Sequence, residues 1–160
     1  MPVVSSISTK VTNEVTPGAG NYASYVTVTG TGSIVPSVAG TVGVDLDGGS
    51  LANAGTADGG AGADAVSFGS VASTLIVDPG AAFNGNVVAN GVNDTLELAG
   101  TTAGSFAGLG SQFTGFATVT EIAGASWTLN GTNNVTGDFD RCGRVCRDIV
   151  SALISGPSAD

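Results

Sequence analysis

The side chains of this chain that could do chemistry are mainly carboxylates, because the sequence contains no histidine. Without histidine, Ser-His-Asp and Cys-His catalysis and zinc sites of the histidine type are excluded. Two pairs of carboxylates lie close in sequence, Asp45 with Asp47 and Asp94 with Glu97. Residues two apart on a strand project from one face, about 7 Å apart along it, so Asp45 and Asp47 could flank a glycosidic bond. A carbohydrate-active enzyme is therefore one alternative, beside the simpler prediction that both pairs face solvent.

A glycine-rich run from residue 59 to residue 67 offers a second kind of chemistry. Its sequence, GGAGADAVS, matches the calcium-binding nonapeptide of β-rolls of the RTX type, in which turn carbonyls and aspartates of stacked coils share each ion. Asp64 would supply the carboxylate. One turn provides too few oxygens, and the only other approximate copy is Asp47-Gly48-Gly49. The run therefore predicts a glycine corner with Asp64 in solvent; a calcium-stabilised module is the alternative, and no other cofactor is expected.

The two cysteines, Cys142 and Cys146, lie four residues apart, which places them on one side of a helix. They could form half of a metal site, but the chain has no second pair to complete it. A disulfide between them within a helix would be strained. Two thiols in an apolar stripe are the simpler interpretation, and intermolecular disulfides would require an oxidising environment.

The composition is that of an acidic protein rich in small residues. The 160 residues include 26 glycines and are 42% hydrophobic but only 11% charged, which indicates one folded domain rather than a disordered chain. The net charge is −9, and Lys10 is the only cation before residue 141. Such a chain repels phosphate backbones and anionic lipid, so we expect no nucleic acid partner and no membrane insertion by this chain itself. We also expect no export signal within it, since residues 1–10 lack a basic segment followed by an apolar run.

Short strands closed by glycines would position these side chains. Three of them are Thr74–Val77, Thr95–Leu98 and Thr118–Thr120, and the glycines that close them are Gly80, Gly100 and Gly124. The closing glycines lie 20 and 24 residues apart, a period that indicates stacked repeats. Because the units are rich in strand, the sequence predicts an all-β fold, a single-stranded parallel β-helix or β-solenoid. A sandwich of two antiparallel sheets is the alternative.

The interior of such a solenoid should be filled by aliphatic columns and a few aromatic rings. We expect Leu96 and Leu98 to face inward, since they alternate with polar residues along one strand. The larger rings should pack between coils rather than form a platform for a ligand; these are Phe83, Phe113, Phe116 and Trp127.

The pattern divides the chain into three parts. Residues 1–20 are expected to be weakly ordered or to form a weak first strand, residues 21–137 to form the solenoid, and residues 138–160 to form a C-terminal amphipathic helix and tail. Asp138 or Asp140 would be the N-cap, and Gly156-Pro157 would end the helix. The apolar stripe of this helix contains Cys142, Val145, Cys146, Ile149, Val150 and Leu153.

Two interpretations of this C-terminal segment stay open. The helix could cover the open end of the last coil, whose unpaired edge would otherwise promote aggregation. Alternatively, the segment does not share the origin of the repeats, since both cysteines and all three arginines lie in the last 20 residues. A change of reading frame or a truncated gene would produce such a break. Self-association through the solenoid ends is a further expectation.

Several runs between residues 51 and 136 resemble a known class of repeat proteins. They are LANAGT from residue 51, LIVDPGAAFNG from 75, NDTLELAG from 93, LGSQFTGF from 109 and GASWTLNGTN from 124. In these runs the chain resembles the passenger region of bacterial type V autotransporters, the β-helical adhesins and haemagglutinin-like proteins. The resemblance implies a secreted or cell-surface location and a non-catalytic, adhesin-like role, with a host surface or neighbouring cell-surface molecules as partners. Because such proteins are usually longer, with an export signal and an outer-membrane barrel, it implies a fragment or a truncated relative.

Overall fold

The computed structural model describes residues 4–90, 93–134 and 137–141, and this part of the chain consists of strands and turns without a helix. It therefore contains no helix that could span a membrane. The strands are β1 Val4–Ile7, β2 Lys10–Val11, β3 Tyr22–Val28, β4 Ser33–Ile34, β5 Val44–Leu46, β6 Ser50–Asn53, β7 Thr56–Asp58, β8 Val66–Phe68, β9 Thr74–Val77, β10 Ala82–Asn84, β11 Val87–Val88, β12 Thr95–Leu98, β13 Ala103–Ala107, β14 Phe113–Thr114, β15 Thr118–Glu121, β16 Ser126–Asn130 and β17 Asp138–Arg141.

These strands wind into a parallel β-solenoid with three faces. Face 1 is the seven-stranded sheet β1-β3-β6-β9-β12-β15-β17, which corresponds to about six turns. Face 2 begins as the sheet β2-β4-β7-β10 and continues as the two-stranded sheet β13-β16, and face 3 is the sheet β5-β8-β11-β14. Every pairing between the described strands is parallel. The predicted parallel solenoid is confirmed, and the antiparallel sandwich is not the fold.

The turns of face 1 stack in constant register from β6 to β17. Leu51 pairs with Leu75, Leu75 with Leu96 and Leu96 with Val119, so these residues form one inward column. Their side chains are at most 1% exposed. Neighbouring strands lie about 4.8 Å apart, so each column member contacts the next. Burying one such aliphatic side chain contributes roughly 1.5–3 kcal/mol, which makes the columns the main stabilising element of the fold.

The three strands predicted from glycine punctuation are confirmed as β9, β12 and β15 of face 1. The glycines that follow them, Gly80, Gly100 and Gly124, have φ angles of 95°, 87° and 86°. Residues with a Cβ rarely adopt this conformation, whereas glycine does so readily. The closing glycine is therefore the residue that lets β9, β12 and β15 turn sharply toward face 2.

The solenoid extends into both segments that were expected to flank it. β1 and β2 lie within residues 1–20, and Val15 is fully buried. At the other end, β17 pairs with β15, so residues 138–141 are extended and the expected N-cap at Asp138 or Asp140 is wrong. The remainder of the expected helix, including its stripe, lies outside the described residues; this concerns Cys142, Val145, Cys146, Ile149, Val150 and Leu153.

Candidate functional site

Face 2 splits between β10 and β13, which is where the stacking of turns is interrupted. β10 pairs with β7 and β13 pairs with β16, but no ladder joins β10 to β13. Backbone hydrogen bonds join the two turns on either side of the split, from Ala99 N–H to Val77 C=O and from Val87 N–H to Gln112 C=O. An open cleft of about 240 Å³ lies between the two turns.

Gln112 bridges the split with its side-chain amide. Its Nε2 donates to the carbonyl oxygens of Phe83 and Gly85, both at 2.9 Å. Phe83 lies in β10, whose edge toward β13 has no strand partner. Buried and half-buried carbonyl groups need a hydrogen-bond donor, and the amide takes the place of the missing backbone N–H groups. Gln112 therefore satisfies the Phe83 carbonyl at the open edge of β10 while the two strands stay apart.

Trp127 forms one wall of the cleft and holds its position through two hydrogen bonds. The indole Nε1–H donates to Ala99 C=O at 2.8 Å, and the Trp127 backbone N–H donates to Glu121 Oε1 at 3.0 Å. The ring lies over Gly104, its partner in the β13-β16 ladder. A Cβ at Gly104 would approach the ring carbons to 2.7 Å. Glycine is therefore required at residue 104 for the indole to lie against β13.

Aromatic rings fill the space beneath the split. Phe106 and Phe113 have centroids 4.5 Å apart, Phe83 and Phe113 are 5.3 Å apart at 83°, and Phe106 and Trp127 are 6.2 Å apart at 83°. Edge-on contacts at these distances are favourable geometries for aromatic pairs. Ser105, Gly80 and Ala81 also line the cleft. The cleft thus combines an apolar floor with a hydroxyl group and a strand edge.

Val77 lines the cleft, and the carboxylate residue Asp78 follows it directly in the sequence. Burial raises its pKa above the usual value of 3.8. The cause is desolvation, which disfavours the charged form of a carboxyl group. A cationic group bound next to Asp78 would favour the charged form again.

Asp64 lies at the corner between β7 and β8, where it is half-buried. Its backbone carbonyl accepts the Gly43 N–H at 3.1 Å, so the backbone of the predicted glycine corner is part of the stacking. In the described part of the chain, no three acidic, cysteine or histidine residues come together as a group that could hold a metal ion. Calcium binding at Asp64 stays a prediction.

The two members of each carboxylate pair lie in different surroundings. Asp45 is half-buried in β5, whereas Asp47 follows that strand and its Oδ1 accepts the Val71 N–H at 2.9 Å. Asp94 is fully buried, and its Oδ1 accepts the Ser73 N–H at 2.9 Å, while Glu97 is half-buried in β12. Asp47 therefore holds the backbone of the following turn and Asp94 that of the preceding turn, a role that the sequence analysis missed.

The other residues singled out from the sequence lie in the interior or next to it. Leu96 and Leu98 belong to inward columns of face 1, and Phe116 packs edge-on against Phe68, at 5.2 Å and 87°. Phe113, Phe116 and Trp127 are buried, and Phe83 is half-buried at the cleft. Sequence reasoning missed Gln112, Phe106 and Gly104. An alignment of the repeats places Gly104 beside Trp127, and this alignment is the one signal in the sequence that could have identified any of these three residues.

Comparison with known proteins gives no relative: no family model, no curated protein and no solved structure matches this chain.

Proposed function

We propose that this chain is a non-catalytic, adhesin-like solenoid segment of a secreted or cell-surface bacterial protein, of the kind that autotransporter passengers contain. The observation that carries the proposal is the constant register of face 1, in which the five strands from β6 to β17, and β3 before them, repeat the same inward columns. Stacked turns of this kind make a rod that grows by about 4.8 Å per turn and presents continuous outer faces. Such a rod is suited to displaying binding surfaces away from a cell.

The outer side of face 1 supports a binding role. One residue of each strand pairs with the equivalent residue of the next strand, which makes a continuous column along β6, β9, β12 and β15. The column consists of Ser50, Thr74, Thr95 and Thr118, and Tyr25 precedes it in β3. This column consists of hydroxyl groups at the spacing of the strands, about 4.8 Å. Hydroxyl groups donate and accept hydrogen bonds without charge, which fits polar surfaces such as glycans and exposed protein backbone.

The cleft in face 2 is the second part of the proposed binding surface. Its floor is formed by aromatic rings and its rim by Ser105 and Gln112. Known ligand sites likewise combine an apolar lining with a few placed polar groups. The proposed partner is a molecule of a host surface or of a neighbouring cell surface.

Immobilised polysaccharides, collagen, fibronectin and fixed epithelial cells provide the test, with the full chain applied in solution and bound protein quantified. We expect saturable binding to one of these surfaces. Ser105→Trp fills the cleft and should lower binding at least tenfold, whereas Ser67→Trp, on β8 of face 3, is the matched control and should leave it unchanged. Melting temperatures of both variants verify folding. Lack of binding to every surface, or equal binding by both variants, would contradict the proposal.

The non-catalytic part of the proposal has its own test. The chain is incubated with the same polysaccharides and reducing sugar is measured over time. We expect no release above a heat-denatured control. Release that disappears in Asp45→Asn would overturn the proposal in favour of a carbohydrate-active enzyme.

A further inference from the structure

Aromatic side chains are concentrated at the cleft in face 2. The chain has six phenylalanines, two tyrosines and one tryptophan, and four of these nine residues line the cleft, namely Phe83, Phe106, Phe113 and Trp127. Phe83 crosses Phe113 at 83°, and Phe106 crosses Trp127 at the same angle. Rings that cross in this way surround a space from more than one direction, as they do in aromatic cages that bind alkylated ammonium groups.

The carboxylate of Asp78 lies between the two turns that border the cleft. Val77 before it and Gly80 two residues after it both line the cleft. A Cβ at Gly100, which belongs to the next turn, would lie 3.4 Å from Asp78 Oδ1. Among the residues that the structure describes, none donates a hydrogen bond to this half-buried carboxylate or pairs with its charge. The carboxylate is therefore available to a cation bound at the cleft.

The cations of the described chain lie too far away to neutralise Asp78. Residues 11–140 contain no lysine or arginine. Lys10 lies in β2, three strands from β10, and Arg141 is three strands from Val77 along face 1. Three strand spacings correspond to roughly 14 Å, which exceeds the screening length at physiological salt. The cleft and its carboxylate therefore attract a cation from solution.

The carbonyl groups beside the cleft already have donors. Gln112 Nε2 binds the oxygens of Phe83 and Gly85, and the indole Nε1–H of Trp127 binds the oxygen of Ala99. A primary ammonium group brings three N–H donors that need acceptors, whereas a trimethylammonium group brings none. The cleft is also smaller than the pockets of roughly 300–1,000 Å³ that hold drug-sized ligands. Both features favour a compact, alkylated cation.

We propose that the cleft binds a trimethylammonium group of the kind that choline carries, with its methyl groups against the aromatic rings and its charge balanced by Asp78. The inference rests on the proposed function, because the cleft is part of the proposed binding surface. It also gives Asp78 a role: the bound cation stabilises a carboxylate that is desolvated without a partner.

Three small ligands test the proposal on the unmodified chain. Choline, ethanolamine and 3,3-dimethylbutan-1-ol are titrated at constant ionic strength, with the fluorescence of Trp127, the only tryptophan, and calorimetry as readouts. Ethanolamine keeps the charge but has N–H donors, and the alcohol keeps the shape of choline without the charge. We expect saturable binding of choline, and binding about tenfold weaker for each of the other two. No saturation with choline, or equal binding of either control ligand, would overturn the proposal.

Two pairs of variants locate the site. Asp78→Asn and Phe83→Leu should each weaken choline binding about fivefold, since they remove the charge and one aromatic ring. Asp45→Asn in β5 and Phe139→Leu in β17 make the same changes at half-buried residues away from the cleft and should leave the affinity unchanged. Melting temperatures verify that all four variants fold. Equal losses in a variant and its control would overturn the assignment to the cleft.

Sedimentation with phosphatidylcholine vesicles distinguishes two sources of the group. Cosedimentation that free choline abolishes would assign a lipid headgroup, and choline binding without cosedimentation would assign a soluble choline compound. The titrations use small ligands in solution, so they give a result whether or not the chain binds any of the surfaces named under the proposed function. Failure of this inference is therefore distinguishable from failure of that function.

Discussion

The Oδ1 atom of Asp94 accepts the backbone N–H of Ser73 at 2.9 Å, which joins two successive turns of the solenoid from the inside. Both residues are almost completely buried. The Ser73 Oγ in turn accepts the Gly48 N–H at 2.8 Å, so the connection reaches a third turn. The buried Ser73 N–H requires a partner, and the Asp94 side chain provides it at the corner where the turn enters β9 of face 1.

Removal of the Asp94 carboxylate should destabilise the fold. Asp94→Ala leaves the buried Ser73 N–H without its acceptor, and we expect the free energy of unfolding to fall by about 1–3 kcal/mol. Glu97→Ala, three residues later and half-buried, is the control and should change it by about 0.5 kcal/mol or less. Urea denaturation of both variants checks this, and equal losses would show that Asp94 has no special role.

A methyl group at residue 104 should disturb the cleft. Gly104→Ala places a Cβ where the indole of Trp127 lies, and overpacking of this kind costs about 1–3 kcal/mol. Because Trp127 is the only tryptophan, its fluorescence reports the displacement directly. Ser105→Ala, at the next and exposed residue, should leave both emission and melting temperature near those of the wild type. An unshifted spectrum in Gly104→Ala would contradict the close packing described above.

The bridging role of Gln112 can be tested by removing only its donor. Gln112→Glu keeps the shape but directs a carboxylate at the carbonyls of Phe83 and Gly85, so stability at pH 7 should fall by more than in Gln112→Ala. Once the new carboxyl is protonated, it can donate again, so the difference should shrink in acid. Thermal melts from pH 3 to pH 7 measure it. A glutamate variant as stable as the wild type at pH 7 would show that the bridge is unimportant.

Asp78 should make the chain less stable as the pH rises. Burial raises its pKa in the folded state above 3.8, so the neutral form is the better tolerated one. Protonated Asp78 makes its full contribution to stability when the pH lies below the pKa that this carboxyl group has in the unfolded chain. That contribution is lost as the pH rises through the pKa of the group in the folded protein. Asp78→Asn should therefore raise the melting temperature at pH 7 but not at pH 3. Asp45→Asn removes the same formal charge elsewhere and controls for net charge; an equal gain in both variants would contradict the assignment.

The sequence predicted face 1 well because its signals are local. Along each of its strands, side chains point alternately inward and outward. The residues that close β9, β12 and β15 have positive φ angles, which favour glycine. Those features repeat at the period of one turn. The register, the inward columns and the parallel pairing follow from that repeat.

The split in face 2 and the buried polar groups could not be predicted in the same way. β10, β13 and β16 begin at equivalent distances from face 1, so nothing local indicates that β13 leaves β10. The separation depends on contacts across turns, namely the indole of Trp127 over Gly104 and the amide of Gln112 on β10. Asp94 resembles a surface carboxylate in sequence, and its burial depends on contacts across turns such as its bond to Ser73.

Stacking of successive turns is the claim on which both proposals depend, and spin labels test it most directly. Cys142 and Cys146 are replaced by serine, labels are attached at Thr74→Cys and Thr118→Cys, and continuous-wave spectra are recorded. Both residues pair with Thr95, one on each side, so their Cα atoms should lie about 10 Å apart and the doubly labelled chain should show strong dipolar broadening. A spectrum equal to the sum of the two singly labelled chains would mean that the turns do not stack.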